Sequence, residues 1–214
     1  MSSSEPALDE AAGADVHRRF LAIAADVSAP LAEALAAVGP RRFPDRSDQS
    51  LARFLARAVV GQQLSTHAAR SIWSRVEGAA AEAGVDVLEL GCAERQPLLQ
   101  ACGLSRNKAR ALGAIRAAQL EGRLDGTRLR EFDHAAIKAE LGALWGVGPW
   151  TCDMAALFYC RCPDVWPEGD VTVRKTFSRL IGARRKPSKW AARFAPERSW
   201  LALYMWAVVD AVPD

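Results

Sequence analysis

Alternation is what this sequence lacks most. No segment of its 214 residues shows the period-two, β-branched, turn-bounded pattern of a strand, so a sheet has no material to form from. Long apolar runs are missing too: none approaches the ~18 residues a bilayer crossing needs, which excludes a transmembrane helix. The start, MSSSEP, has no basic stretch followed by an apolar core and does not read as a secretory signal, so a cytoplasmic location is expected. Cysteine is sparse and odd in number, with Cys92, Cys102, Cys152, Cys160 and Cys162. That argues against a disulfide framework and for reduced thiols packed as small hydrophobes. A strong charge excess is also wanting. With 28 Lys and Arg against 25 Asp and Glu the net charge is only +3, so composition alone does not announce nucleic-acid binding.

What is present is globular and helical. Half the residues are apolar and a quarter charged, the balance of a chain that buries a core. Ala, Leu, Arg and Glu dominate, and apolar residues recur at helical spacing in Leu51, Phe54, Leu55, Ala58 and Val59 and again in Ala109, Leu112 and Ile115. Gly39, Gly84, Gly91, Gly103, Gly122 and Gly182 stand where periodic runs end, and Ser105, Asp133, Asp170 and Ser188 where N-caps belong; about ten helices with short loops are expected. The stretch PERSWLALYMWAVV (196–209) is apolar nearly all round, the mark of a helix buried on most faces. Residues 1–15 mix acids with Ser, Pro, Gly and Ala and are expected to form a flexible acidic tail. From Arg174 onward the sign reverses, giving a basic face or simply solvated helix surfaces.

Three stretches carry chemistry. In LGALWGVGPWT (141–151), Gly146 and Gly148 allow a tight turn that leaves backbone N–H groups bare at the next helix's start, a nest for a phosphate oxygen. Read alone, it is equally an ordinary helix–helix turn. In DVWPEGDVTVRK (164–175), Asp170 opens an apolar-periodic helix after a Pro-Gly turn; it is an N-cap by position, and a carboxylate can cap and also act. One helix plus a return loop separates the two turns, which suits chemistry on a nucleotide's sugar if both open on one side. In VVGQQLSTHAA (59–69), Gln62, Gln63 and Leu64 lie at a helix junction, either as a solvent loop or as an amide able to enter a base stack.

Taken in order, these stretches resemble the helix-hairpin-helix DNA glycosylases, and among them the 3-methyladenine DNA glycosylase II type. GLSRNKARAL (103–112) resembles the family's G-L-S-x-x-K-A segment, and APERSWLALYMW (195–206) its closing helix. The resemblance runs from about Leu51 to Trp206. It implies an all-α fold of two lobes, 16–48 with 170–214 and 49–169, with the hairpin at 142–151 in the second and the active-site cleft between them. It implies a monofunctional enzyme that hydrolyses the N-glycosidic bond of alkylated bases in double-stranded DNA, in the nucleoid or, in a eukaryote, the nucleus. Asp170 takes the catalytic position; Trp150, Met154, Tyr204 and Trp206 line the base pocket. Gln63, Leu64, Ser65, Gly146, Val147, Gly148, Thr151 and Arg174 meet DNA. Main-chain oxygens of Gly142, Leu144 and Val147 are the implied seat of a Na+ or K+ ion, no cofactor being required.

Departures from the pattern are informative. Trp145 replaces the hairpin's usual proline, Gly169 the first of two aspartates, and Met154 stands where a pocket tyrosine can occur, which bears on substrate range. Bifunctional relatives carry lysine where Trp150 stands, so without that amine no Schiff base and no strand cleavage is expected. No cysteine follows Cys162, which excludes the iron-sulfur cluster of other relatives, and Cys160-x-Cys162 is too tight for the usual metal spacing. Release of neutral bases such as uracil or hypoxanthine, or DNA binding without catalysis, are the other readings of this scaffold. His67 and His134 are expected as exposed polar residues. A compact monomer without the β-rich N-terminal extension of some relatives is expected.

Overall fold

The computed structural model describes residues 5–210 and 212. Among them every regular element is helical and none is a strand, as the composition required. The chain divides into two compact units, Met1–Pro44 with Arg161–Pro213, and Asp45–Cys160. The chain thus returns to the first unit at Arg161 rather than at 170, so the loop leading to Asp170 travels with Asp170.

The first unit holds α1 (Glu5–Val27) and α2 (Ala29–Val38). Ser28 joins them: its Oγ accepts from Leu31 N to cap α2 and donates to Leu180 O at 2.8 Å. The same unit contains α10 (Val171–Ile181), α11 (Pro187–Ala191) and α12 (Arg198–Ala207). Its core is Phe20, Phe177 and Phe194 packed edge to face, over which α12 buries every side chain from Leu201 to Trp206. Two expectations fail here. The tail expected over 1–15 is helical from Glu5, residues 1–4 lying outside the described residues. Gly13 explains much of this: a Cβ there would stand 2.3 Å from the Arg41 carbonyl oxygen, so α1 lies flush on that backbone and is held by a distant segment. Ser188 is not an N-cap, because Pro187, with its preset φ and no N–H, takes the first helical position and moves the cap to Lys186. Arg174, Lys175, Arg179, Arg184, Lys186 and Lys189 are exposed, which suits both a basic face and plain solvated helix surfaces.

The second unit contains α3 (Leu51–Gly61), α4 (Thr66–Glu82), α5 (Gln96–Ala101), α6 (Arg106–Leu120), α7 (Gly126–Leu129), α8 (His134–Gly142) and α9 (Pro149–Met154), the last continued by a π-helical turn over Ala155–Tyr159. Leu51, Phe54, Leu55 and Val59 of α3 are buried, as are Ala109, Leu112 and Ile115 of α6, and the two helices pack on each other. Burial of a Leu or Phe side chain is worth about 1.5–3 kcal/mol, so this seam is a main source of the unit's stability. Ser65, Ser105 and Asp133 cap α4, α6 and α8 with their side-chain oxygens.

Candidate active site and nucleic-acid interface

Asp170 stands at the end of a tight turn. Asp170 N donates to Pro167 O at 2.8 Å and Glu168 N to Trp166 O at 2.9 Å. Its Oδ1 accepts from Val173 N at 2.8 Å, the cap of α10, and from Trp206 Nε1 at 3.3 Å. Two N–H donors on one oxygen fix the carboxylate's rotation, while the residue keeps 7% exposure. The loop is pinned from α12. Arg198 grips Asp164 through Nε at 2.6 Å and Nη2 at 2.8 Å, and Ser199 Oγ accepts from Val165 N at 2.9 Å and donates to Cys162 O at 2.6 Å. Asp164 is thereby engaged as an ion pair, and Glu168 is exposed, which leaves Asp170 as the buried acid of this segment. Arg174, expected against DNA, is exposed and curls back to donate to Glu168 O at 3.2 Å.

Trp206 and Tyr204 do not share a face. Two positions along a helix turn the side chain by about 200°, so when Trp206 faces Asp170, Tyr204 faces α1. Tyr204 is fully buried, its hydroxyl 2.7 Å from His17 Nδ1 and its ring against His17 and Phe20. The expected base-pocket role for Tyr204 is therefore corrected: it is core. Burial pushes its phenol up to about 12, with Arg41 pulling the other way. Burial likewise holds His17 below the usual histidine range.

In the second unit the hairpin closes as its glycines suggested. Leu144 N donates to Leu141 O, Val147 N donates to Leu144 O, and Gly146 adopts φ 83°. A Cβ on Gly146 would lie 2.4 Å from the Ala111 Cβ, so the bend sits directly on α6. Gly148 caps α9 with Pro149 at its first position, and the N–H groups of a first helical turn have no partner four residues back. Val147 is buried, and Thr151, expected on DNA, is fully buried as well. Thr151 Oγ1 instead accepts from Gln62 Nε2 at 2.8 Å, and the same nitrogen donates to Gly146 O at 3.1 Å. Trp150 is half-buried and Met154 buried. Trp145 is 40% exposed, with the Arg110 guanidinium 4.1 Å over its ring. His134, expected as a surface residue, is half-buried with Nε2 2.7 Å from Asp153 Oδ1. Asp153 is itself 3% exposed and has Lys138 Nζ at 3.5 Å, so these residues tie α8 to α9 beneath the turn. Residues 142 and 144 end α8 and the turn after it, where carbonyls carry the helix's negative end; neutral oxygens of this kind suit a hard cation.

Between α3 and α4, Gly61 to Leu64 form a type II turn closed by Leu64 N to Gly61 O at 3.2 Å. Gln63 occupies the third position with φ 59°, where Gly or Asn is the usual residue and any other side chain costs about 1–2 kcal/mol. Gln63 and Leu64 are exposed at the tip, Ser65 caps α4 behind them, and His67 is exposed. Beneath the turn, Lys108 Nζ donates to Val60 O and Gln62 O, both at 2.8 Å. Gln62, read from the sequence as a solvent-loop or stack-entering amide, is instead tied down within the fold, and Lys108 and Asp153 carried no expected role. Lys108 did lie in the G-L-S-x-x-K-A segment, but nothing along the chain says that its ammonium ends beneath residues 60–62.

No protein-family model matches the chain. It is 27% identical over 158 residues to DNA-3-methyladenine glycosylase 1 of Schizosaccharomyces pombe, covering 71% of this chain and 69% of that protein. It is 30% identical over 216 aligned positions to the probable bifunctional transcriptional activator/DNA repair enzyme AlkA of Mycobacterium tuberculosis, covering 90% of this chain and 42% of that longer protein. Among solved structures it matches the S. pombe 3-methyladenine DNA glycosylase Mag1 in complex with abasic DNA, with TM-score 0.73 and 23% identity over 88% of this chain and 95% of that one. The Bacillus halodurans DNA-3-methyladenine glycosidase matches with TM-score 0.67 and 26% identity over 89% and 87%. Sequence and fold agree: the homologues of this chain are 3-methyladenine DNA glycosylases, and it shares their all-helical fold.

Proposed function

We propose that the chain excises alkylated bases of the 3-methyladenine kind from double-stranded DNA by hydrolysing the N-glycosidic bond, the first step of base excision repair. The observation that carries this reading is the Asp170 carboxylate held by Val173 N–H and the Trp206 indole N–H. The target nucleotide must leave the duplex at a cost of a few kcal/mol, least for a damaged base. Gln63 and Leu64, presented at the tip of their turn, would fill the vacated space. The turn at Gly146 to Gly148 and the first turn of α9 would hold a backbone phosphate, which positions the sugar without reading sequence.

A base alkylated on a ring nitrogen is cationic and leaves readily. As the bond from C1′ to the base breaks, its electron pair goes to the base and positive charge grows on the sugar. Asp170 opposes that charge and orients or deprotonates the water that adds to C1′. The Trp206 indole beside Asp170 would favour a cationic base by ~0.5–2 kcal/mol where well placed. Trp150 offers no amine for a Schiff base, so the product is an intact strand with an abasic site. Main-chain oxygens of Gly142, Leu144 and Val147 would seat a Na+ or K+ ion, which steadies the turn electrostatically; no cofactor enters the reaction.

The test is a panel of duplexes carrying 3-methyladenine, 7-methylguanine, 1-methyladenine, ethenoadenine, hypoxanthine or uracil, with Asp170→Asn as control. Release of methylated purines, without strand scission and absent in the variant, is expected. Release of uracil or hypoxanthine alone would point to neutral bases. Tight binding to an abasic analogue with no release of any base would make the chain a binding module.

A further inference from the structure

The side chain that is to enter the base stack is held from below by a lysine. We infer that Lys108 is a positioning residue that presets the Gln63 turn for insertion before DNA arrives. The proposal rests on the reading of Gln63 as the inserting residue.

Four observations carry it. First, Gln63 holds φ 59° in a turn position where Gly or Asn would sit without strain, so its side chain is kept there against the backbone's preference. Something must hold the turn in this form. Second, Lys108 Nζ donates at 2.8 Å to Val60 O and at 2.8 Å to Gln62 O. These carbonyls lie at the C-terminal end of α3 and at the residue before Gln63. The ammonium thus satisfies acceptors that the helix end leaves open and fixes the peptide plane leading into Gln63. Third, Gln62 is fastened on its other side as well, its amide donating to Gly146 O and Thr151 Oγ1. Gln63 is then the free tip of a segment whose preceding residue is bound through both main chain and side chain. Fourth, Lys108 is itself aimed by α6, whose N-cap Ser105 accepts from Lys108 N at 3.3 Å. Burial pulls its ammonium below the usual lysine range, the mark of a cation turned inward rather than toward solvent or phosphate.

A lysine that merely stabilised the fold and one that presets the turn differ in which substrate they affect. Forcing a paired base out needs the inserting side chain in place; a lesion in single-stranded DNA needs no insertion. The experiment compares single-turnover excision of 7-methylguanine from paired duplex and from single strand, for the wild-type chain, Lys108→Met, Lys108→Arg, Gln63→Ala and the Lys108→Met/Gln63→Ala pair. Lys108→Met is expected to lose about tenfold on the duplex and less than about twofold on the single strand. Lys108→Arg, which keeps donors, is expected to recover most of the loss, and adding Gln63→Ala to Lys108→Met to lose nothing further. Equal losses on both substrates, an unchanged duplex rate, or losses that multiply in the pair would each overturn the proposal.

A second readout separates this from the assignment of function. Each protein is bound to a duplex with a stable abasic analogue opposite 2-aminopurine, whose fluorescence rises when the stack is opened. If the wild-type chain excises nothing yet raises that signal and Lys108→Met does not, the glycosylase reading fails and the positioning role stands. If Lys108→Met raises it as the wild type does, the positioning role fails whatever the excision result.

Discussion

Trp206 and the helix α10 compete for the same oxygen of Asp170: Nε1 of the indole and N–H of Val173 both donate to Oδ1. The carboxylate's orientation is therefore shared between a helix cap and a buried ring, and the two can be separated by mutation. Asp170→Asn keeps a good cap, so the chain should fold and bind abasic DNA normally while base release falls about a hundredfold or more. Trp206→Phe keeps a ring but loses the donor and should slow release by about tenfold. Single-turnover base release with a gel-shift control measures both; normal release by Asp170→Asn would remove the aspartate from the mechanism.

The two glycines of the hairpin should fail in different ways. Gly146→Ala puts a Cβ at φ 83° into the Ala111 methyl and should cost about 2–4 kcal/mol of stability. Gly148 has φ −86° and open space where a Cβ would stand, so Gly148→Ala should keep stability within about 0.5 kcal/mol. If the turn meets a phosphate, the same substitution should weaken abasic-duplex binding about fivefold, or roughly 1 kcal/mol. Denaturant melts and a binding titration give the two numbers.

Thiol labelling should divide the five cysteines. Cys102 and Cys152 are buried, and burial raises both, Cys152 to about 11 with help from the neighbouring Asp153 charge. They should react only on unfolding, whereas half-buried Cys92, Cys160 and Cys162 should react in the native protein. Counting labels by mass before and after denaturant addition checks this.

Stability should fall at both ends of the pH scale. Tyr204 is neutral in the fold up to about 12 against an ordinary value of 10, so its contribution is complete below pH 10 and is lost between 10 and 12. Integrated, that is on the order of 2–3 kcal/mol. His17 is shifted the other way, so its contribution is complete above about pH 6.5 and falls away as acid protonates the unfolded chain first. Urea melts across pH should show an alkaline decline that is smaller in Tyr204→Phe, the buried Cys102 and Cys152 thiols supplying the remainder.

Much of this was legible along the chain because it depends on neighbours in sequence. Ser105, Asp133 and Asp170 cap helices that their own following residues define, and the glycine bend needs only its local backbone. What escaped was set by distant partners. Residues 5–15 read as a tail because the backbone at Arg41 that Gly13 lies against is invisible from the composition around it. Thr151 and His134 read as surface residues until Gln62 and Asp153 arrived from elsewhere. Tyr204 and Trp206 were grouped by closeness in sequence, although helical geometry already sends them opposite ways.

The amide of Gln62 reaches from the turn below Gln63 to the carbonyl of Gly146. With Gln63 entering the base stack and the glycine bend holding the backbone, as proposed, this amide would act as a ruler that sets how far apart along the strand the two contacts fall.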